Sequence, residues 1–138
     1  MTIPSGYAGD AIRARAPHVL SVYRETRETV LEAGVVEREL KDLCARYLAE
    51  DEEVLTRLKD PGGYDDRERA ALAWADAIAW RSEDADDALW ARLRRAFTEP
   101  ELVELGYSIA IALGQQHWLA THGIVEPPGL EDQTGFAR

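Results

Sequence analysis

Cys44 is the only cysteine of the chain, and it stands two residues after Asp42 in the stretch LKDLCARYLAEDEEV, residues 40–54. Such a pairing is either a nucleophile with a proton acceptor beside it or a packed thiol beside a solvated acid. The thiolate is the reactive form and needs an electropositive, accessible setting, whereas aliphatic surroundings leave a thiol inert. At about 100° per residue, Cys44 falls about 40° from Leu40, inside an apolar stripe. Asp42 falls about 200° from Leu40, with Arg46 one turn further on. The periodicity reads as a core thiol and a solvated Asp–Arg pair.

The other groups able to handle protons are fewer still. The three histidines are His18, His117 and His122. The last two stand about 140° apart on a helix, whereas helical metal pairs use spacings of about three or four residues, so no metal site is read here. His117 shares a stripe with Gly106, Ala110 and Leu113, where a neutral imidazole serves either as a general base or as a hydrogen-bonded core residue. Glu104, Ser108, Gln115 and Trp118 form a second stripe, suited to a polar ligand or to a wet partner contact. Tyr107, Gln115 and Trp118 are the candidate pocket-shaping residues. Asp76 sits on an alanine-rich face, where a carboxylate must be paired, hydrogen-bonded or protonated. An arginine partner and a pocket acid are the two readings. The sequence has no glycine-rich phosphate loop, no GxSxG and no CxxC.

Helices must position all of these groups. Pro17 suits the first turn of a helix that ends before Gly34, with Val19, Val22, Tyr23, Thr26, Val30 and Ala33 on one face. A second helix covers about residues 36 to 50, and a short third segment stops at the PGG of residues 61–63. Asp65 with Glu68, and Thr98 with Glu101, have the spacing of capping boxes. They open a fourth helix that runs to Trp80 and a sixth that ends at Gly123; Asp86 or Asp87 caps the fifth. The sixth is about 24 residues long, roughly 36 Å. From Leu102 to Leu113 it is apolar nearly all round, which implies burial on several sides. That predicts a homo-oligomer built through residues 99–122, with one central helix in a monomeric bundle as the alternative. The expected class is all-α: a single domain of about six helices over residues 1–138, with a loose tail at 1–15 and another at 125–138.

The 138 residues suit one domain. A net charge of −10, from 26 acids against 16 lysines and arginines, repels phosphate backbones and anionic lipid. Neither a nucleic-acid nor a membrane role is expected. One cysteine forms no internal bridge, the first sixteen residues hold no signal-like apolar run, and a cytoplasmic protein is the expectation.

The ordered segments PHVLSVYRETRETVLEAGVVERELKDL, YDDRERAALAWADAI and ALWARLRRAFTEPELVELGYSIAIALGQQHWLA resemble the carboxymuconolactone decarboxylase and alkylhydroperoxidase D-like family. The resemblance covers roughly residues 17 to 124. It implies a small all-helical subunit that assembles as a trimer or hexamer. Peroxidase members of that family use CxxCxxxH with an upstream glutamate. Carried over without gaps, the resemblance implies Asp42 at the glutamate, Val54 and Arg57 at the cysteines, and Pro61 at the histidine. Only the carboxylate is kept. A two-thiol cycle needs two neighbouring sulfurs, so the two-cysteine peroxidase is not expected.

The decarboxylase side of the family needs a proton carrier and no thiol. It implies a cofactor-independent acid–base enzyme acting on a small organic acid or carbonyl compound by decarboxylation or isomerisation. The available proton carriers are Asp42, His117 and Asp76. A non-catalytic family member that binds a small molecule or partner, and a residual thiol peroxidase using Cys44, are the alternatives. Periodicity sets Asp42 in solvent and the resemblance sets it in a pocket. An outward helix face that lines a cleft between subunits reconciles the two.

Overall fold

A computed structural model describes residues 7–126. Among them are seven α-helices and no strand: α1 (Asp10–Arg13), α2 (Pro17–Thr26), α3 (Arg38–Leu48), α4 (Glu52–Leu58), α5 (Asp66–Trp80), α6 (Asp87–Ala96) and α7 (Glu99–Thr121). The all-α expectation therefore holds for these residues. None of the helices among them is long and apolar enough to cross a membrane. Most of the tail expected at 125–138 lies outside the described residues.

Local side-chain chemistry sets the helix starts. Asp65 accepts the Glu68 amide at 2.8 Å and Glu68 returns to the Asp65 amide at 2.9 Å. Thr98 and Glu101 make the same reciprocal pair before α7, at 3.3 and 2.8 Å. Asp51 caps α4 and Asp86 caps α6 through amide-to-carboxylate bonds of 2.9 Å. Each such cap satisfies amides that have no helical partner.

The core lies where α3, α5, α6 and α7 meet. Leu72, Leu93, Leu105 and Ile109 are each at most 2% exposed, and burying such side chains stabilises the fold by about 1.5–3 kcal/mol apiece. The buried alanines of α5 let α7 approach closely. Gly106 marks the point of contact, because a Cβ there would lie 2.7 Å from the Trp74 ring.

Three sequence expectations meet a different arrangement. The stretch expected as a loose tail contains α1, whose Arg13 is 1% exposed. The segment expected as one helix ending before Gly34 is α2 followed by a π-helical turn, Arg27–Leu31. No residue of α2 is buried, and Val22 of its apolar stripe is 62% exposed. Helix α7 has 23 residues, yet its apolar circumference is not buried all round. Leu102, Leu105 and Ile109 face the core while Val103 and Tyr107 face outward. Periodicity identifies an apolar face, but whether anything covers that face is a tertiary fact.

One clamp joins the N-terminal third to the rest. The Lys41 ammonium donates to the carbonyls of Val30 and Ala33, at the end of the π-helical turn, and to Glu104 Oε2 at 2.9 Å. Glu104 also accepts the amides of Val35 at 3.1 Å and Val36 at 2.7 Å. Burial alone pushes the Glu104 carboxyl up, but these amides and the ammonium hold it below the usual glutamate range. Gly34 has φ +100°, and a Cβ there would collide with the Glu104 carboxylate. Gly34→Ala is therefore expected to cost about 3 kcal/mol or more, as backbone strain adds to a disrupted buried pair. Urea-unfolding midpoints measure this, and a loss below about 1 kcal/mol would show that the clamp tolerates displacement.

Candidate functional site

Beside the clamp, the N-terminal segment, α3 and α7 enclose a hollow of about 270 Å³. Its volume is near the lower end of small-molecule pockets, about 300–1,000 Å³. The walls are mostly aliphatic: Leu31 after α2, Ala45 on α3 and Ala49 just past its end, Ala112 and Leu119 on α7, and Ile124 beyond it. The polar groups set among them are Tyr7, Tyr23, Glu32, Arg38, Lys41, Asp42, Ser108, Gln115, Gln116 and Glu126.

Two buried arginines build the N-terminal wall. Arg13 donates to Asp10 at 2.8 Å, to both Glu126 oxygens at 3.0 and 3.1 Å, and to Gln115 Oε1 at 2.8 and 3.2 Å. Its guanidinium carbon lies 3.9 Å from the centre of the Tyr23 ring. Arg27 binds both oxygens of Asp10, at 3.2 Å each, and stacks 3.7 Å from the centre of the Tyr7 ring. The Gly9 amide donates to Glu126 at 2.7 Å. Residues before α2 and after α7 are thereby tied together at the edge of the hollow. Burial disfavours the Arg13 charge, yet its bonds to Glu126 and Asp10 outweigh that and raise its pKa.

The phenols remain protonated. Burial pushes Tyr23 up to about 12 against the pull of the Arg13 charge. Burial raises Tyr7 further, reinforced by its bond to Glu32, to which its hydroxyl donates at 2.8 Å. The Tyr23 hydroxyl makes no hydrogen bond among the described residues. Gln115 uses its carbonyl oxygen for Arg13, which leaves its NH₂ group as a donor. Gln116 donates to the Ala45 carbonyl at 3.0 Å, and Ser108, 3% exposed, donates to the Leu105 carbonyl at 2.9 Å.

Of the residues singled out from the sequence, the hollow gathers Asp42, Ser108 and Gln115. Asp42 is half-buried there, not on the solvent face that periodicity assigns it. The other candidates stand elsewhere. His117 is exposed, Tyr107 is 53% exposed, and Trp118 meets His122 edge-on at 5.6 Å on the outside of α7. Asp76 accepts the Tyr47 hydroxyl at 2.8 Å and lies 3.6 Å from Arg81, away from the hollow. Among the described residues no group of three His, Cys, Asp or Glu side chains is placed to hold a metal ion.

Sequence reading passes over Tyr7, Arg13, Arg27, Glu32 and Lys41, and places Tyr23 only on a packed helix face. Arg13 and Gln115 are 102 residues apart, and no local pattern encodes such a pair. Lys41 does leave a trace, since it lies about 60° from Cys44 on the wheel, at the edge of the buried stripe.

No family model, curated protein or solved structure matches the chain. The site therefore rests on its own geometry.

Cys44 is 1% exposed, and burial pushes its thiol up to about 12. In the folded chain it is expected to react with an aromatic disulfide reagent about a thousandfold more slowly than in urea. Equal rates in the two solvents would mean that the sulfur opens to water.

Proposed function

We propose that the hollow is a small-molecule site of a cytoplasmic, cofactor-independent acid–base enzyme, one that decarboxylates or isomerises a small organic acid or carbonyl compound. The observation that carries this reading is the half-buried Asp42 carboxylate in a mostly aliphatic hollow. In an isomerisation it serves as the base that removes a proton next to a carbonyl and returns it at another carbon. In a decarboxylation its protonated form donates the proton to the carbanion left when carbon dioxide departs, and regains one from solvent. The Gln115 NH₂ group and the Tyr23 hydroxyl are the donors that take the negative charge developing on the carbonyl oxygen. The resemblance to the decarboxylase family supports the same chemistry, as a fold-level analogy. His117 and Asp76, far from these groups in environment, have no part in it. The thiol route loses support, because a buried thiol with a raised pKa is not a nucleophile.

Deuterium exchange followed by NMR tests this reading across a panel of small keto acids, lactones and ketones. Asp42→Asn is expected to slow exchange by about a hundredfold or more in a chain with unchanged circular dichroism. Exchange at the parental rate in that variant would remove Asp42 from the chemistry. Ligand binding without turnover, blocked by Ala112→Trp, would leave a non-catalytic binding protein.

The same proposal includes a homo-oligomer through α7, a trimer or hexamer by the family resemblance. Val103, Tyr107, Ala110, Gly114 and Trp118 fall on one stripe at helical spacing, and Val103 is 73% exposed. An apolar stripe of this kind suits a second copy of the chain. Sedimentation should give a mass that is a multiple of the monomer, and Val103→Glu with Tyr107→Glu should reduce it to one subunit. A monomer before substitution would rule the assembly out.

A further inference from the structure

Three of the cations around the hollow are held by carboxylates. Arg13 is matched by Glu126 and Asp10, and Arg27 by both oxygens of Asp10. Lys41 is matched by Glu104, and its two remaining donors go to the Val30 and Ala33 carbonyls. Arg38 and Asp42 also line the hollow, one helical turn apart on α3. Glu32 is left over. It lines the hollow, is half-buried, and accepts a single hydrogen bond, from the Tyr7 hydroxyl to Oε2. No cation among the described residues lies within ion-pairing distance of it.

A carboxylate in a mostly aliphatic hollow with one neutral donor retains unsatisfied acceptor capacity on Oε1, and such a group calls for a charged donor. Tyr7 and Tyr23 supply flat apolar surface in the same hollow, their rings edge-on at 6.5 Å. Ala112, Leu119 and Ile124 supply the aliphatic remainder.

We infer that the hollow takes a small ligand whose apolar body carries a protonated amine, with Glu32 as the carboxylate that receives the ammonium. The inference rests on the reading of the hollow as a small-molecule site and narrows its substrate class to amino-bearing acids or carbonyl compounds. The ammonium donates to Oε1 while the Tyr7 hydroxyl holds Oε2, so the pair fixes the amine end of the ligand. The carbonyl end is then left to Asp42, Gln115 and Tyr23.

Three probes that share one phenylethyl body separate charge from fit: 2-phenylethylamine and 2-phenylethanol, which match in size, and the slightly larger 3-phenylpropionate, titrated into the full chain by calorimetry and protein-observed NMR. The amine is expected to bind about tenfold or more tighter than the alcohol, with the carboxylate weakest, as for a hydrogen bond to a charged partner. Glu32→Gln should bring the amine down to the affinity of the alcohol and leave the alcohol unchanged. Ala112→Trp, which fills the hollow, should weaken all three. Equal binding of the probes, or an amine preference that survives Glu32→Gln, overturns the inference. If that binding is still lost in Ala112→Trp, the hollow itself stands as a small-molecule site. No binding by any probe, or binding indifferent to Ala112→Trp, overturns both.

Discussion

The ammonium of Lys41 is the point at which three separate parts of the chain meet. Its side chain is 3% exposed, and a buried cation without partners would be displaced or deprotonated. The chain supplies three acceptors, two carbonyls from the turn after α2 and one carboxylate from α7. Removing one member of a buried pair typically costs about 3–5 kcal/mol, whereas exposed pairs contribute about 0–1 kcal/mol. The Arg46 pairs with Asp51 and Glu53 belong nearer the second group, since the Glu53 side chain is 80% exposed. Lys41 and Glu104 thus decide where the N-terminal third sits. Since α2 buries none of its own residues, that third is fixed against the rest mainly by this clamp and by the bonds of Arg13 to Gln115 and Glu126.

At the far edge of the hollow, Arg13 does for the chain ends what Lys41 does for the middle. Its donors are distributed among Asp10, Gln115 and Glu126, so one guanidinium spans α1, α7 and the segment after α7. Its planar fork suits such multiple acceptors, and its face remains available to the Tyr23 ring. Asp10 is shared with Arg27, which carries the network on to Tyr7. The two arginines reach the hollow only through the aromatic rings and the amide that they orient. In that way the phenols and Gln115 present fixed groups inward without a free positive charge lining that wall.

The legible part of the fold was local. Asp65 with Glu68 and Thr98 with Glu101 are three residues apart, and their capping geometry follows from spacing alone. The inward faces of α3 and α6 were also legible, through Leu40, Cys44, Leu89 and Leu93. What sequence did not encode was the destination of each outward face. Val19 and Val22 have the periodicity of a core stripe, yet both are exposed. Asp42 has the periodicity of a surface acid, yet the segment before α3 and the end of α7 fold over its side of the helix to make a wall. In the candidate site, Asp42 and Gln115 were legible as polar groups on amphipathic helices. Tyr7, Glu32 and Arg13 were not, because they acquire meaning only from partners 25 to 113 residues away.

The interior is therefore chemically lopsided. Around α5 and α6 the buried side chains are aliphatic or aromatic, the arrangement that stabilises a small bundle with fewest conditions. The buried polar residues, Arg13, Arg27, Lys41 and Ser108, all stand on the side of the hollow, lining it or contacting its lining. Well-packed apolar residues of similar volume often replace buried ion pairs without loss of stability, so stability alone does not account for charge in these positions. A polar framework accomplishes something that aliphatic packing does not. It holds walls apart at fixed distances through directional bonds, where apolar side chains would collapse together toward interior density. A hollow of about 270 Å³ in a chain this small is the consequence of that framework.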